Sequence, residues 1–481
     1  MYSIIKLLIG LIVGIFVLAS CGGGGSSTTL ICKTSDCTIT VGKTFVQQAN
    51  NLEVVVDGWV PAGTFTSPPI NILFASVTVC AVGARPTDPQ AKCTNIDHVQ
   101  VDTGSVGLRI LASKVSSLGL TPILTPNDLT VPNLDPVYEC YPFVVGGLWG
   151  PTAVADVRLG EQWAQALQVQ LIQDIPSAAI QAPTNCSDAA QSHILSSASQ
   201  LGSNGILGIG SVPVDCGLTC QSNLYPNTYV VYYTCPAVAT SVLDCRAAAV
   251  DLPLQVHNPV DKLSPDANGV ADNNGVVLIL PPLPVTGANK VLGELVFGID
   301  TRASDSNLRT ISNKLDTSAN KAYLGVDPHN SKSSHGLASY LNVTTQYVSA
   351  NSSQIIYNSY LDTGTNALFF TDGSIPLCTP ASVLISSWYC PDSLLTKKAI
   401  ISDGDVPGNH AVNVDFLVGN ASKIPGAISA YSGMAGAPPL STKAASFSWG
   451  LPFFYGRSVY MSIWDTSSTN STYSSGPWYS F

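Results

Sequence analysis

With 481 residues, a formal net charge of −10 and only 11% charged residues, the chain has no basic surface to offer a nucleic acid. Four glutamates stand against an abundance of Ser, Thr, Asn, Gly and Val, so strands and turns are well supplied and long amphipathic helices are not. The length suffices for two ordinary domains or for one large bilobal unit with a substantial core.

At the N-terminus Lys6 precedes an apolar run from Leu7 to Leu18, too short for a membrane span and proportioned like a signal-peptide core. The residues that follow, Leu18-Ala19-Ser20-Cys21, resemble the bacterial lipoprotein processing site. The resemblance implies a signal peptide over residues 1–20 and Cys21 as the lipid-carrying first residue. Gly22 stands where an aspartate would hold a lipoprotein at the inner membrane. The implied location is therefore the cell envelope, lipid-anchored at the outer membrane, with its side left open. A tether and small N-terminal stretch occupies 21–50; its glycine-rich start, residues 22–29, has a root-mean-square reach of roughly 15 Å.

A first β-lobe is expected over 51–300. Leu52–Val56 and Ile72–Val79 are rich in β-branched residues and read as strands. The second of these and Asp97–Val101 form a hairpin whose connection Cys80 and Cys93 would close. Asp57 and Asp135 stand in turn-like settings, before Gly58 and Pro136. His98 lies four residues from Asp102, roughly 13 Å along a strand, and reads as a structural histidine. A Cys-rich insertion is expected near 211–274, a polar connector over 301–334, and a second β-lobe over 335–481.

Removing Cys21 from thirteen cysteines leaves twelve, an even number for an oxidising compartment. Cys32 with Cys37, Cys80 with Cys93, and Cys378 with Cys390 are close enough to staple local loops. Cys216, Cys220, Cys235 and Cys245 are expected to pair among themselves, leaving Cys140 with Cys186; their spacing lacks the tight second knuckle of a zinc site. No metal and no cofactor is expected.

The chain says nearly the same thing twice: Val99-Gln100-Val101-Asp102-Thr103-Gly104-Ser105 and Ser359-Tyr360-Leu361-Asp362-Thr363-Gly364-Thr365. Each reads as a strand stopping at a turn that leaves one carboxylate at a loop tip. Asn204–Gly210, Gly293–Asp300, Phe447–Phe454 and Ser458–Asp465 add further landmarks in consistent order. On these residues the chain resembles the pepsin-like aspartic proteases, and its lipoprotein start makes it look most like an uncharacterised family of bacterial lipoproteins with pepsin-like motifs.

The resemblance implies an all-β, bilobal pepsin-like fold with a cleft between two β-lobes. It implies Asp102 and Asp362 as a catalytic pair that activates water, supported by Thr103, Gly104, Ser105, Thr363, Gly364 and Thr365. The implied activity is that of a monomeric aspartic endopeptidase acting on a peptide or protein substrate, attached to the membrane through its lipid. The family's Tyr-Gly-Thr-Gly flap string is missing; Tyr141–Gly150 stands in its place, with Tyr141 and Trp149 as candidate covering rings. Behind the first motif Arg109 replaces an aromatic, which alters the packing there. The competing expectation is a non-catalytic peptide- or glycan-binding lipoprotein on the same scaffold.

Overall fold

The computed structural model describes residues 27–33, 36–61, 69–85, 92–126, 134–143, 146–175, 180–184, 186, 193–221, 231–236, 245–302, 324–325, 343–348, 353–379, 387–402, 411–438, 446–463 and 478–481. The signal-peptide residues, Cys21, residues 22–26 of the tether and almost all of the 301–334 connector lie outside them; Thr28 and Thr29, read as tether, instead begin a strand, Thr28–Lys33, paired with Asp36–Val41. Among the described residues no helix is long and apolar enough to cross a membrane.

The first lobe is built from β1 (Asn51–Val56), β2 (Phe74–Cys80), β3 (Cys93–Asp102), β4 (Val106–Leu111), β5 (Leu134–Phe143), β6 (Gly146–Leu159), β7 (Gln162–Ile172) and β8 (Gly205–Ile209). The backbone pairings run β2–β3–β8–β4–β7–β6 and return to β2, so these strands close on themselves. Closure leaves no edge among the six. It also turns every second β-branched side chain inward, and Val77, Val79, Val99, Val101, Leu108, Val157 and Leu207 are buried in one core.

Two further strands, β9 (Gly275–Ile279) and β10 (Lys290–Phe297), pair with each other, and β10 pairs with β1. The second lobe contains β11 (Val343–Val348), β12 (Ser353–Leu361), β13 (Leu368–Phe369), β14 (Leu395–Ser402), β15 (Val412–Val418) and β16 (Ser446–Trp449). Its core is aromatic: Phe370 stacks on Phe447 at 5.0 Å between ring centroids, and Phe447 on Trp449 at 4.2 Å. The all-β, bilobal arrangement read from the motifs is the observed one. The last strands, β17 (Ser458–Ser462) and β18 (Trp478–Ser480), do not stay in the second sheet: β17 pairs with β9, and β18 with β17.

Among the described residues five disulfides brace the loops: Cys80–Cys93, Cys140–Cys186, Cys216–Cys220, Cys235–Cys245 and Cys378–Cys390. Cys32 and Cys37 stand opposite each other in the register of an N-terminal hairpin, but their side chains lie outside the described set. The Cys-rich segment returns to the first lobe through Tyr232–Thr234, which pairs with β5. Asp135 departs from its expected turn role and sits within β5 opposite Thr125. A residue before proline is driven to extended backbone, which a strand satisfies as well as a turn.

Candidate active site

Each aspartate loop is held by the same device. β8 threads between β3 and β4, parallel to the first with Gly208 opposite Asp102 and antiparallel to the second with Gly208 opposite Gly107. β16 threads between β12 and β13 in the same way, with Trp449 opposite Leu361 on one side and Leu368 on the other. A strand on both sides fixes the two ends of the loop, so the carboxylate between them has little freedom.

The structure brings the two loops together tip to tip. Asp102 and Asp362, 260 residues apart, lie close enough for the charge of one to act on the other, and each is only 6% exposed. Each loop's glycine backs onto the other loop's carboxylate. A Cβ on Gly104 would lie 2.6 Å from Asp362 Cγ, and one on Gly364 would lie 2.5 Å from Asp102 Oδ1. Any side chain there would push the pair apart.

The remaining contacts form two matching sets. Asp102 Oδ1 accepts from the Gly104 amide at 2.8 Å and Oδ2 from the Ser105 hydroxyl at 2.5 Å. Asp362 Oδ1 accepts from the Gly364 amide at 2.7 Å and Oδ2 from the Thr365 hydroxyl at 2.6 Å. The threonines cross between lobes: the Thr103 amide donates to Thr363 Oγ1 at 3.1 Å, and the Thr363 amide to Thr103 Oγ1 at 3.0 Å. Their hydroxyls then donate to the Leu361 and Val101 carbonyls at 3.3 and 2.7 Å. All eight residues singled out around the two motifs thus meet in one constellation.

Burial, and then the charge of Asp102, push the Asp362 carboxyl well above the usual carboxylate range, against the pull of Thr365 and the Gly364 amide. Tyr479, on β18, lies close enough to feel the Asp362 charge, and burial pushes its phenol up to about 12.

The two aromatics offered as covering rings are not on an open surface. Tyr141 is 2% exposed beneath the Arg109 guanidinium, and Trp149 is 2% exposed between Tyr138 and Tyr233, its Nε1 donating to the Ile180 carbonyl at 2.7 Å. Both rings pack in the first lobe as core aromatics, the usual fate of large rings on a paired strand. The tip of the β5–β6 hairpin, residues 144–145, lies outside the described residues. His98 is fully occupied: it stacks on Trp59 at 4.6 Å and meets Asp97 and Asp57 at 3.0 and 3.3 Å.

Two features carried no signal that sequence reading used. Asn71 clasps the lobes, donating to the Asn366 and Tyr431 carbonyls at 3.0 and 2.9 Å while accepting from the Tyr431 amide at 2.8 Å. Its left-handed backbone, φ 59°, suits asparagine but marks no motif. Glu139 and Asp215 are fully buried against Arg109. A glutamate inside the apolar run Val137–Tyr141, in a chain with only four, was the available hint.

Comparison with known proteins adds the following. No curated protein matches the chain. The crystal structure of aspartic proteinase from Irpex lacteus is similar over 85% of this chain and 92% of that chain, at 16% identity and a TM-score of 0.39. The family model described as Protein of unknown function (DUF3443) matches residues 46–481, and the chain belongs to that family.

Proposed function

We propose that the protein is an aspartic endopeptidase, lipid-anchored in the cell envelope, that hydrolyses peptide bonds with water activated between Asp102 and Asp362. The observation that carries the reading is the pair of buried carboxyl groups brought face to face within matching donor sets. Two carboxylates at that distance do not both ionise readily, so the pair holds one proton between them and titrates as a unit. The ionised member accepts a proton from the attacking water. The protonated member donates to the developing oxyanion and then assists departure of the amine. The Ser105 and Thr365 hydroxyls occupy Oδ2 of each carboxyl, which leaves the Oδ1 edge, backed by the two glycine amides, for the water. No covalent intermediate is needed.

The anchoring part of the proposal rests on the Leu18-Ala19-Ser20-Cys21 string and the glycine tether after it. The test is cleavage of an unfolded protein across acid and neutral pH, with and without a peptide inhibitor that mimics the tetrahedral intermediate. Inhibitor-sensitive cleavage on the acid side of neutrality is expected. Absence of cleavage together with saturable peptide or glycan binding would replace the enzyme by the binding protein.

A further inference from the structure

Behind the Asp102 loop lies a charged cluster that the chemistry above does not use. Arg109, on β4, is fully buried. Its Nη1 donates to the Val106 carbonyl at 2.5 Å, and its Nη2 to Glu139 Oε1 at 2.7 Å and Asp215 Oδ2 at 3.0 Å. Its Cζ lies 3.6 Å from the centroid of the Tyr141 ring. Tyr232 donates to Asp215 Oδ1 at 2.8 Å and accepts from the Val256 amide at 2.7 Å. Glu139 and Tyr141 belong to β5, one arm of the hairpin; Asp215 heads the segment braced by Cys216–Cys220.

A buried ion network is a poor way to gain stability, because apolar side chains of similar volume fill the same space without desolvating charge. What it supplies is directional attachment. The cluster is one step from the carboxyl pair: Ser105 holds Asp102 Oδ2, Val106 follows Ser105, and Arg109 holds the Val106 carbonyl. The second lobe has an aromatic stack, Phe370, Phe447 and Trp449, behind its own loop.

We propose that Arg109, through Glu139 and Asp215, is a positioning residue that locks the Asp102 loop to the β5–β6 hairpin and to the disulfide-braced segment, so that the three move as one body. One guanidinium facing two acids is neutral when the acids keep one proton. Burial, then the charge of Glu139, push Asp215 well above the usual carboxylate range, against the pull of Arg109 and Tyr232. The groups around it are Arg109 of β4, Glu139 and Tyr141 of β5, and Tyr232. His257, bridged to Val214, is pushed down to about 4 by burial, then by Lys262, and is uncharged above that pH. A raised carboxyl gives attachment that is complete at low pH and lost as pH rises through its elevated titration.

The test is hydrogen–deuterium exchange on the full chain, comparing residues 102–111 with residues 362–370 as internal control. Two variants are needed: Arg109→Lys, which keeps the charge and loses the fork, and the triple Arg109→Met, Glu139→Leu, Asp215→Leu, which removes the whole network. Exchange over 102–111 is expected to rise about tenfold or more, relative to wild type, with 362–370 unchanged. Turnover of a peptide is expected to fall about 10²-fold in kcat with KM nearly constant, the signature of a displaced catalytic group. Only this kinetic arm rests on the hydrolytic reading; if wild type cuts nothing, that reading fails and the exchange result still decides the positioning role. A folded variant with wild-type protection over 102–111 overturns the proposal. If neither variant folds, wild type decides: residues 102–111, 134–143 and 214–221 must exchange through one shared opening as denaturant is raised, and separate openings overturn the proposal.

Discussion

At the scale of single residues the threonines of the two motifs do the structural work that lets two acids sit together. Each hydroxyl accepts from the amide of the opposite loop and donates to a carbonyl of the opposite strand, all in a buried setting. Thr103→Val keeps the shape and strips both bonds, leaving the Thr363 amide without its cross-lobe acceptor. The loss is expected to cost about 1–3 kcal/mol, measured as a lowered denaturant midpoint with unchanged slope. An unchanged midpoint would mean that the lobes are held by other contacts, Asn71 foremost. The repeated tripeptide made these residues legible because both halves of the site are written in the same local code. Glu139 and Asp215 were not legible, because their meaning exists only when residues 30 and 106 positions from Arg109 arrive at its guanidinium.

At the scale of elements, the strands that thread beside each loop were readable from short apolar runs ending in glycine, since such runs suit a strand buried on both sides. The hairpin that Cys80 and Cys93 close was readable for a similar reason: two β-branched strands joined by a loop with a cysteine at each end. Replacing both cysteines by serine opens that loop and is expected to lower stability by about 3 kcal/mol, with the fold retained, in an unfolding titration. A loss below about 1 kcal/mol would show that the register of β2 with β3 holds the turn unaided. The return of β17 to the first sheet was not readable. Ser458–Ser462 is a short apolar run between serines, buried on both faces, and nothing local says which sheet it joins. The rings of Tyr141 and Trp149 misled for the opposite reason: an aromatic near a glycine pair looks alike in sequence whether it covers a site or packs beneath one.

At the scale of the whole molecule, two lobes built on one plan lend one carboxyl each to a junction that neither lobe could form alone. The proposed anchor hangs this body from a membrane by a tether of a few residues. Cys21→Ser is expected to abolish lipid labelling and release the mature chain into the soluble fraction with its fold intact. Retention on membranes would mean that the apolar run itself anchors the protein. Because Asp362 is raised by burial and then by the charge of Asp102, the shared proton persists upward in pH and is lost as pH rises through that elevated titration. Activity is therefore expected to form a bell, falling on the acid side when both carboxyls are protonated and on the other when neither is. The central claim is that the two aspartates act as a unit, and a mutant cycle on kcat/KM tests it most directly. Asp102→Asn and Asp362→Asn each remove one titrating group at nearly constant shape. Each is predicted to lower kcat/KM by about 10²–10⁴-fold with the fold preserved, and the double variant to be scarcely worse than either single one. Activity that survives either substitution, or losses that simply multiply in the double variant, would contradict the account.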